Sequence, residues 1–216
     1  MSTQRPLILL TGFGSFPGVE SNATAALIPE IATVARQRFG DHEIVDEVLP
    51  VEWARAPHRL NELLERDGLR LALHFGVSKH ASGFQLELMG HNVCGGGGDA
   101  AGEMPSTGEI IAGAPASLAS TFPVEAILAR LRAVGLPCAP SNSAGTYLCN
   151  ALLYHSLTAA HGLQGPFLSG FVHLPVHLSA TGSVGEAGAD CLLTWDDAVA
   201  GGVAIIAACL EAETNA

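Results

Sequence analysis

A cysteine in a turn-rich segment is the first candidate for chemistry in this sequence. Cys149 ends the run SNSAGTYLC, and a helix predicted to begin near Gly145 or Thr146 would place its thiol in the first helical turn. There the positive end of the helix dipole and unpaired amide groups favour a thiolate and can hold an oxyanion. Spacing alone is equally consistent with Cys149 facing the core, as its neighbour Leu148 would.

A histidine follows in the apolar segment GFVHLPVH. His173 is predicted to end a strand at the carboxyl edge of the sheet, because Pro175 cannot continue the ladder, and there it can meet Cys149. A lone histidine on an apolar strand is more often structural. His173 and His177 have the spacing of a helical metal pair, but Pro175 argues against a helix and no HExxH motif is present. No metal site is expected.

Glu87 lies in the alternating segment FQLELM, residues 84–89. From the alternation alone, an exposed strand face explains this glutamate without any function. A carboxylate is also the group that a Cys/His pair uses to orient its imidazole.

The segment TGFGSFPG, residues 11–18, could be taken for a phosphate-binding turn. Gly12 and Gly14 match the first two positions of GxGxxG, but the third position is Pro17, and no GKS or GKT follows. A dinucleotide or P-loop site is therefore not expected. Phe13 and Phe16 nevertheless follow a predicted parallel strand, where ligands bind in open α/β sheets.

The elements that must position these residues alternate between strand and helix. Strands are predicted at 6–11, 43–49, 70–75 and 167–173, and helices at 24–38, 54–65, 124–134, 147–161 and 196–211. Two shorter extended pieces are predicted, one at 84–89 and one around Cys138. Asn22 is the expected N-cap of the first helix, and Asp67 with Gly68 is expected to close the second. The βαβαβ order predicts one α/β domain over 1–216, a three-layer α/β/α sandwich with a mostly parallel sheet. A Gly/Pro-rich loop excursion around 94–120 interrupts it and could include a hairpin.

Composition narrows the class of protein. The 216 residues are 48% hydrophobic and carry a formal net charge of −11 with 10 Lys and Arg, which argues against nucleic-acid binding. A charged fraction of 14% and a mean hydropathy of +0.33 favour a homo-oligomer. The first apolar stretch, 6–10, is shorter than the ~7–15 residues of a signal core, so a cytoplasmic protein without membrane contact is expected. Five cysteines without a CxxC pair predict neither a disulfide framework nor zinc.

Taken together, these segments resemble the pyroglutamyl-peptidase I family, the pyrrolidone-carboxylate peptidases. The matching segments, in the family's order, are TGFGSF (11–16) with Asn22 beyond it, LPV (49–51), HFGVS (74–78), LELMGHN (86–92), SAGTYLCN (143–150) and FVHLP (171–175). The resemblance implies a cysteine exopeptidase that acts on small peptides with N-terminal pyroglutamate, as a dimer or tetramer and without a metal or cofactor. It also implies that Cys149 is the nucleophile, His173 the base and Glu87 the third triad member. The substrate-binding residues implied are Phe13, Phe16 and Asn22, with the two rings enclosing the lactam.

The sequence departs from the bacterial pattern at residues 76–81, where GVSKHA stands in place of GQAGGR, and at Leu88, where the family has arginine. HFGVS with LE..GHN looks more like the animal members. Three alternatives stay open: a divergent cysteine hydrolase acting on another acyl or cyclic amide substrate, a ligand-binding relative without catalysis, and a nucleotide-binding enzyme. Against a nucleotide-binding enzyme, the sequence lacks the third glycine of GxGxxG and cations that could bind phosphate.

Overall fold

The computed structural model describes residues 5–16, 18–19, 21–105, 108–162, 166–179 and 191–214. Pro17, where the dinucleotide motif fails, and positions 106–107 of the loop excursion lie outside these residues. The strands are Leu7–Phe13 (β1), Glu43–Leu49 (β2), Leu69–Ser78 (β3), Phe84–Glu87 (β4), Met89–His91 (β5), Ser117–Ala119 (β6), Cys138–Ser141 (β7) and Leu168–Pro175 (β8). The helices are Ala23–Arg38 (α1), Arg55–Leu64 (α2), Val124–Ala133 (α3), Leu148–His161 (α4) and Trp195–Thr214 (α5).

Six strands form the central sheet in the order β2-β1-β3-β8-β4-β7. All neighbours are parallel except β4 and β8, which run antiparallel. Helices α1, α3 and α5 pack on one another over one face, and α2 and α4 cover the other. The predicted α/β/α architecture with a mostly parallel sheet is therefore confirmed.

The β1 and β3 strands are buried along most of their length, as strands of a parallel sheet covered on both faces should be. The first helix begins as predicted: the Asn22 side chain accepts a hydrogen bond from the backbone N–H of Thr24 at 3.1 Å. Residues 89–91, before the loop excursion, and 117–119, at its end, pair antiparallel as a small second sheet.

Two predicted helix boundaries are wrong. The second helix is Arg55–Leu64, and Asp67 and Gly68, the pair expected to close it, lie instead in the turn that leads into β3, where Gly68 has a φ of 80°. The helix that carries Cys149 begins at Leu148, later than predicted. Gly145 has a φ of 80°, and Tyr147, the N-cap, is extended, so neither residue can belong to the helix.

Within the described ranges, no helix is both long and apolar enough to cross a membrane.

Candidate active site

The sheet brings Glu87 and His173 together. They lie on the antiparallel neighbours β4 and β8, where His173 faces Gln85 and Phe171 faces Glu87 in the register. His173 Nδ1 donates a hydrogen bond to Glu87 Oε1 over 2.7 Å. Glu87 is 0% exposed and His173 4%, so the explanation of Glu87 as an exposed strand residue is wrong. A fully buried carboxylate needs such a partner, because an unpaired charge is costly to bury.

Cys149 is the second residue of α4 and reaches the same point from the helix layer. Its thiol lies within hydrogen-bonding reach of His173, and both side chains line one cleft. Cys149 is half-buried, unlike the fully buried Leu148 and Leu152, so it does not share their position in the core. The three residues that the sequence singled out for nucleophilic catalysis are therefore neighbours.

The charges of the three groups are coupled. Burial alone lowers the pKa of His173, but the negative charge of the Cys149 thiolate and the hydrogen-bonded Glu87 carboxylate outweigh it and raise that pKa to about 9. Burial also pushes the pKa of Glu87 upward, yet the hydrogen bond with His173, together with smaller contributions from Ser141 and Gln85, holds it below the usual range. At neutral pH this arrangement favours the imidazolium form of His173, whose positive charge lies between the Glu87 carboxylate and the Cys149 sulfur.

Gln85 is a site residue that the sequence analysis missed. Its Nε2 donates a hydrogen bond to Glu87 Oε1 at 3.0 Å, the same oxygen that accepts from His173. Gln85 also lines the cleft. The period-two alternation of residues 84–89 was the available signal, because it puts Gln85 and Glu87 on the same strand face.

The thiol lies against bare backbone. Gly76 on β3 is paired with His173 on β8. A Cβ at Gly76 would lie 3.1 Å from Cys149 Sγ and 2.8 Å from Cζ of the Phe171 ring, which is too close. A side chain at this position would force the Phe171 ring or the sulfur to shift, so Gly76 helps to set the site geometry.

An apolar recess opens beside the thiol. Its lining consists of Phe13, Phe16, Asn22, Val51, Val77, Tyr147, Leu148 and Cys149. The ring centroids of Phe16 and Tyr147 are 6.1 Å apart, and Trp53 packs edge-on against Tyr147. Apolar and aromatic walls suit a flat, neutral ring better than a charged group.

All three predicted substrate-binding residues, Phe13, Phe16 and Asn22, lie in this wall. The amide of Asn22 is also engaged with the backbone, donating to Gly14 and accepting from Thr24.

The recess itself is small, with a free volume of about 20 Å³. Phe16 lies on a short turn that is closed by the Phe16–Val19 bridge.

The recess continues into a larger cleft of about 690 Å³. Beyond the residues shared with the recess, the cleft is lined by Gly18, Val19, Ser78, Lys79, His80, Gln85, Ser141, Ser143, Ala144, Gly145, His173 and Val176. Cys149 belongs to both linings, so a group held in the recess would have its neighbouring atoms in this cleft.

The loop excursion is fastened beside the recess by polar side chains that the sequence analysis did not identify. Asp99, 2% exposed, accepts hydrogen bonds from the backbone N–H groups of Trp53, Ala101 and Glu103. Tyr147 donates its hydroxyl proton to the carbonyl of Gly98 at 3.0 Å. These bonds hold the Gly-rich stretch against the recess wall.

Asn150, the residue after Cys149, also fastens neighbouring segments by hydrogen bonds. Asn150 is 0% exposed; its side-chain oxygen accepts from the His91 N–H, and its amide donates to the carbonyls of His91 and Val93. The start of α4 is thereby joined to β5 and the segment that follows it.

A chain of buried hydrogen bonds runs beneath the site. Thr11 on β1 and Ser156 on α4 bond to the two nitrogens of His74 on β3, at 2.8 and 2.9 Å, and Ser156 bonds to Ser169 on β8 at 2.7 Å. Burial lowers the pKa of His74 to about 3, so this imidazole is neutral. In the part of the chain that the structure describes, no group of three or more metal-ligating side chains occurs.

Comparisons with known proteins point to one family. A family model described as "Pyroglutamyl peptidase" matches residues 7–212. A pyrrolidone-carboxylate peptidase of Pyrococcus furiosus is 32% identical over 169 residues, which cover 78% of this chain and 80% of that protein. One from Clavibacter michiganensis is 33% identical over 175 residues, covering 79% and 78%. A solved structure of pyrrolidone carboxyl peptidase from Pyrococcus furiosus aligns with a TM-score of 0.84 at 28% identity, covering 95% of this chain and 99% of that one.

Proposed function

Because this chain belongs to the pyroglutamyl peptidase family of cysteine exopeptidases, we propose that it releases N-terminal L-pyroglutamate from peptides with Cys149 as nucleophile. The observation that carries this assignment is the buried His173–Glu87 hydrogen bond of 2.7 Å, which meets Cys149 beside the aromatic recess. Phe13 and Phe16 are the proposed walls for the lactam ring, with Asn22 holding the turn between them and α1.

The first chemical step is attack of the Cys149 thiolate on the carbonyl carbon of the pyroglutamyl residue. The first intrahelical bond of α4 is the one from Ala151 N–H to the Tyr147 carbonyl, so the N–H groups of residues 148–150 have no intrahelical acceptor. Amide groups at a helix N-terminus favour negative charge, which makes them candidates for holding the oxyanion.

Departure of the amine needs an acid, and hydrolysis of the resulting thioester needs a base; His173 can act as both. The imidazolium gives its proton to the leaving amine as the tetrahedral adduct collapses to a thioester. The neutral imidazole then removes a proton from water, which attacks the thioester and releases pyroglutamate and the thiolate. Glu87 holds Nδ1–H throughout, so that Nε2 faces the thiol and the leaving group.

The recess supports selectivity for pyroglutamate. Its described lining consists of apolar and aromatic side chains, the Asn22 amide and the thiol, with no charged group to meet a free α-amine or an acidic side chain. An ordinary N-terminal residue carries an ammonium group, which would lose its hydration there without gaining a partner. The cyclic lactam removes that charge.

We also propose that the protein is a cytoplasmic homo-oligomer, a dimer or a tetramer. A charged fraction of 14% with 48% hydrophobic residues supports burial of part of the surface between subunits. Light scattering of the purified protein would measure a mass of two or four chains, and a mass of one chain would contradict the proposal.

The activity is tested by release of a fluorescent amine from its L-pyroglutamyl amide. We expect turnover by the reduced wild-type protein and none by Cys149→Ala, because no other group takes over the acyl transfer. Amides of alanine and proline serve as substrate controls, and Cys138→Ala, which removes a thiol outside the cleft, serves as the protein control. Absence of turnover by folded, reduced wild type would contradict the proposal and favour a divergent hydrolase or a binding protein.

A further inference from the structure

A tight turn at the mouth of the cleft carries a cation. The turn follows β3 at Ser78, whose hydroxyl accepts the backbone N–H of His80 at 3.1 Å and whose carbonyl accepts that of Ala81 at 3.4 Å. The Ser78 carbonyl also accepts the N–H of Val176, just beyond β8. The two central residues of the turn, Lys79 and His80, are exposed and line the cleft. Their position is thus fixed relative to the strand that carries His173.

The charges along this cleft differ from those of the molecule as a whole. The chain has a net charge of −11, and Lys79 is its single lysine. Among the described residues that line the cleft, none is an aspartate or a glutamate, and Lys79 makes no ion pair within the described part of the chain. By contrast, six of the nine arginines form ion pairs with carboxylates. A cation without a carboxylate partner among the described residues is available to an external one.

The direction of the substrate follows from the two cavities. The recess and the cleft share Cys149, Phe16, Val77 and Tyr147, and the turn with Lys79 lines the cleft alone. With the pyroglutamyl ring in the recess and its carbonyl at Cys149, the rest of the peptide would lie in the cleft, whose lining includes His173 and the turn residues Ser78, Lys79 and His80. Lys79 therefore lies on the side of the leaving peptide.

We infer that Lys79 is a specificity-determining residue that favours peptides with a carboxylate on the one or two residues after pyroglutamate. This inference rests on the proposed function and adds to it a substrate class, the acidic pyroglutamyl peptides. The ammonium group attracts the carboxylate at the cleft mouth, where the overall negative charge of the protein would otherwise repel an anionic peptide.

The test compares matched peptide amides in which the first or second residue after pyroglutamate is either glutamate or glutamine. The two members of each pair differ by one charge and hardly in shape. An exposed ion pair is worth ~0.2–1 kcal/mol, so we expect kcat/KM to be about 1.4- to fivefold higher for the glutamate member of at least one pair. This ratio should shrink toward one in roughly 0.5–1 M salt, because exposed charges are then screened.

The protein variants separate the local charge from the net charge. Lys79→Met should bring the glutamate-to-glutamine ratio near one, Lys79→Glu should invert it, and Lys79→Arg should keep it. Arg132→Met changes the net charge by the same amount as Lys79→Met but alters an exposed residue of α3 outside the cleft, so its ratio should equal that of the wild type.

Equal cleavage of both members of every pair by the wild type would overturn the inference about Lys79 and leave the proposed function standing. A ratio that Lys79→Met leaves intact would do the same. Cleavage of none of the pyroglutamyl peptides by folded, reduced wild type would overturn the proposed function and, with it, this inference.

Discussion

At the scale of single residues, the pKa of His173 decides when the site is active. Glu87 and the Cys149 thiolate raise that pKa to about 9, and the imidazolium is the form that protonates the leaving amine. The proton is therefore held throughout the neutral range and lost as the pH rises through about 9.

The first prediction concerns the alkaline limb of the activity. We expect kcat/KM to fall above about pH 9 in the wild type. In Glu87→Gln the carboxylate charge is gone while an oxygen still accepts the Nδ1 proton, so the pKa of His173 should drop and the alkaline limb should move to lower pH. Glu52→Gln, which removes a carboxylate that pairs with Arg55 outside the cleft, is the control. An alkaline limb at the same pH in both variants would show that Glu87 does not tune His173.

Sequence reasoning could select Cys149, His173 and Glu87 by residue type and by resemblance, but it could not predict the burial of Glu87. That burial arises from the pairing of β4 with β8, strands that are about 85 residues apart in sequence, and period-two alternation does not tell which face is covered. Gln85 was missed for the same reason, since its bond to Glu87 matters only once the face is buried beside His173.

At the scale of secondary structure, the site depends on how closely β3, β8 and the start of α4 approach one another. The strand β2, Glu43–Leu49, has the bounds predicted from its sequence, because local alternation and flanking turns define it. The start of α4 was predicted two or three residues early, because a left-handed φ at Gly145 cannot be recognised from composition. Those residues decide that Cys149 is at the second helical position.

The second prediction tests this close approach with Gly76→Ala. The added methyl group would lie 3.1 Å from Cys149 Sγ and 2.8 Å from the Phe171 ring, so the helix or the ring must shift. We expect kcat/KM to fall by at least ~10-fold, since small displacements at a reacting centre are costly, and the free energy of unfolding to fall by about 1–3 kcal/mol.

Gly40→Ala is the matched control for this experiment, because a Cβ at Gly40 would meet nothing within 4 Å. Steady-state kinetics and urea unfolding of the two variants separate the local effect from a general effect of replacing glycine. Wild-type kinetics in Gly76→Ala would contradict the prediction, because they would show that the active site accommodates a methyl group at this position.

At the scale of the whole molecule, the layers are joined by the buried chain Thr11–His74–Ser156–Ser169. It connects β1, β3 and β8 to α4, the helix that carries Cys149 seven residues before Ser156. Since burial holds the pKa of His74 at about 3, the native state binds no proton there at pH values where the unfolded chain does. Folding is therefore linked to pH through a residue remote from solvent.

The third prediction gives the sign of this linkage. At pH values between about 3, the pKa of His74 in the native state, and ~6.5, its pKa in the unfolded chain, the unfolded state binds one more proton than the native state. The contribution of His74 to stability is therefore fully present above ~6.5 and is lost as the pH falls. The free energy of unfolding decreases by up to ~1.4 kcal/mol per pH unit. His74→Gln should flatten the decline in the free energy of unfolding between pH 6 and 4. His58→Gln, at an exposed position of α2, should leave the decline unchanged. An equally steep decline without His74 would assign the acid sensitivity to other groups.

The single lysine at the cleft mouth has a practical consequence for handling the protein. Reagents that acylate primary amines modify lysine side chains and the chain's amino terminus, and here the lysine among those targets borders the passage to the thiol. Attachment to an amine-reactive resin or dye through Lys79 would orient the enzyme with its entrance toward the support. Coupling through an engineered cysteine would compete with Cys149, so a tag at either end of the chain is the more suitable anchor for immobilised assays.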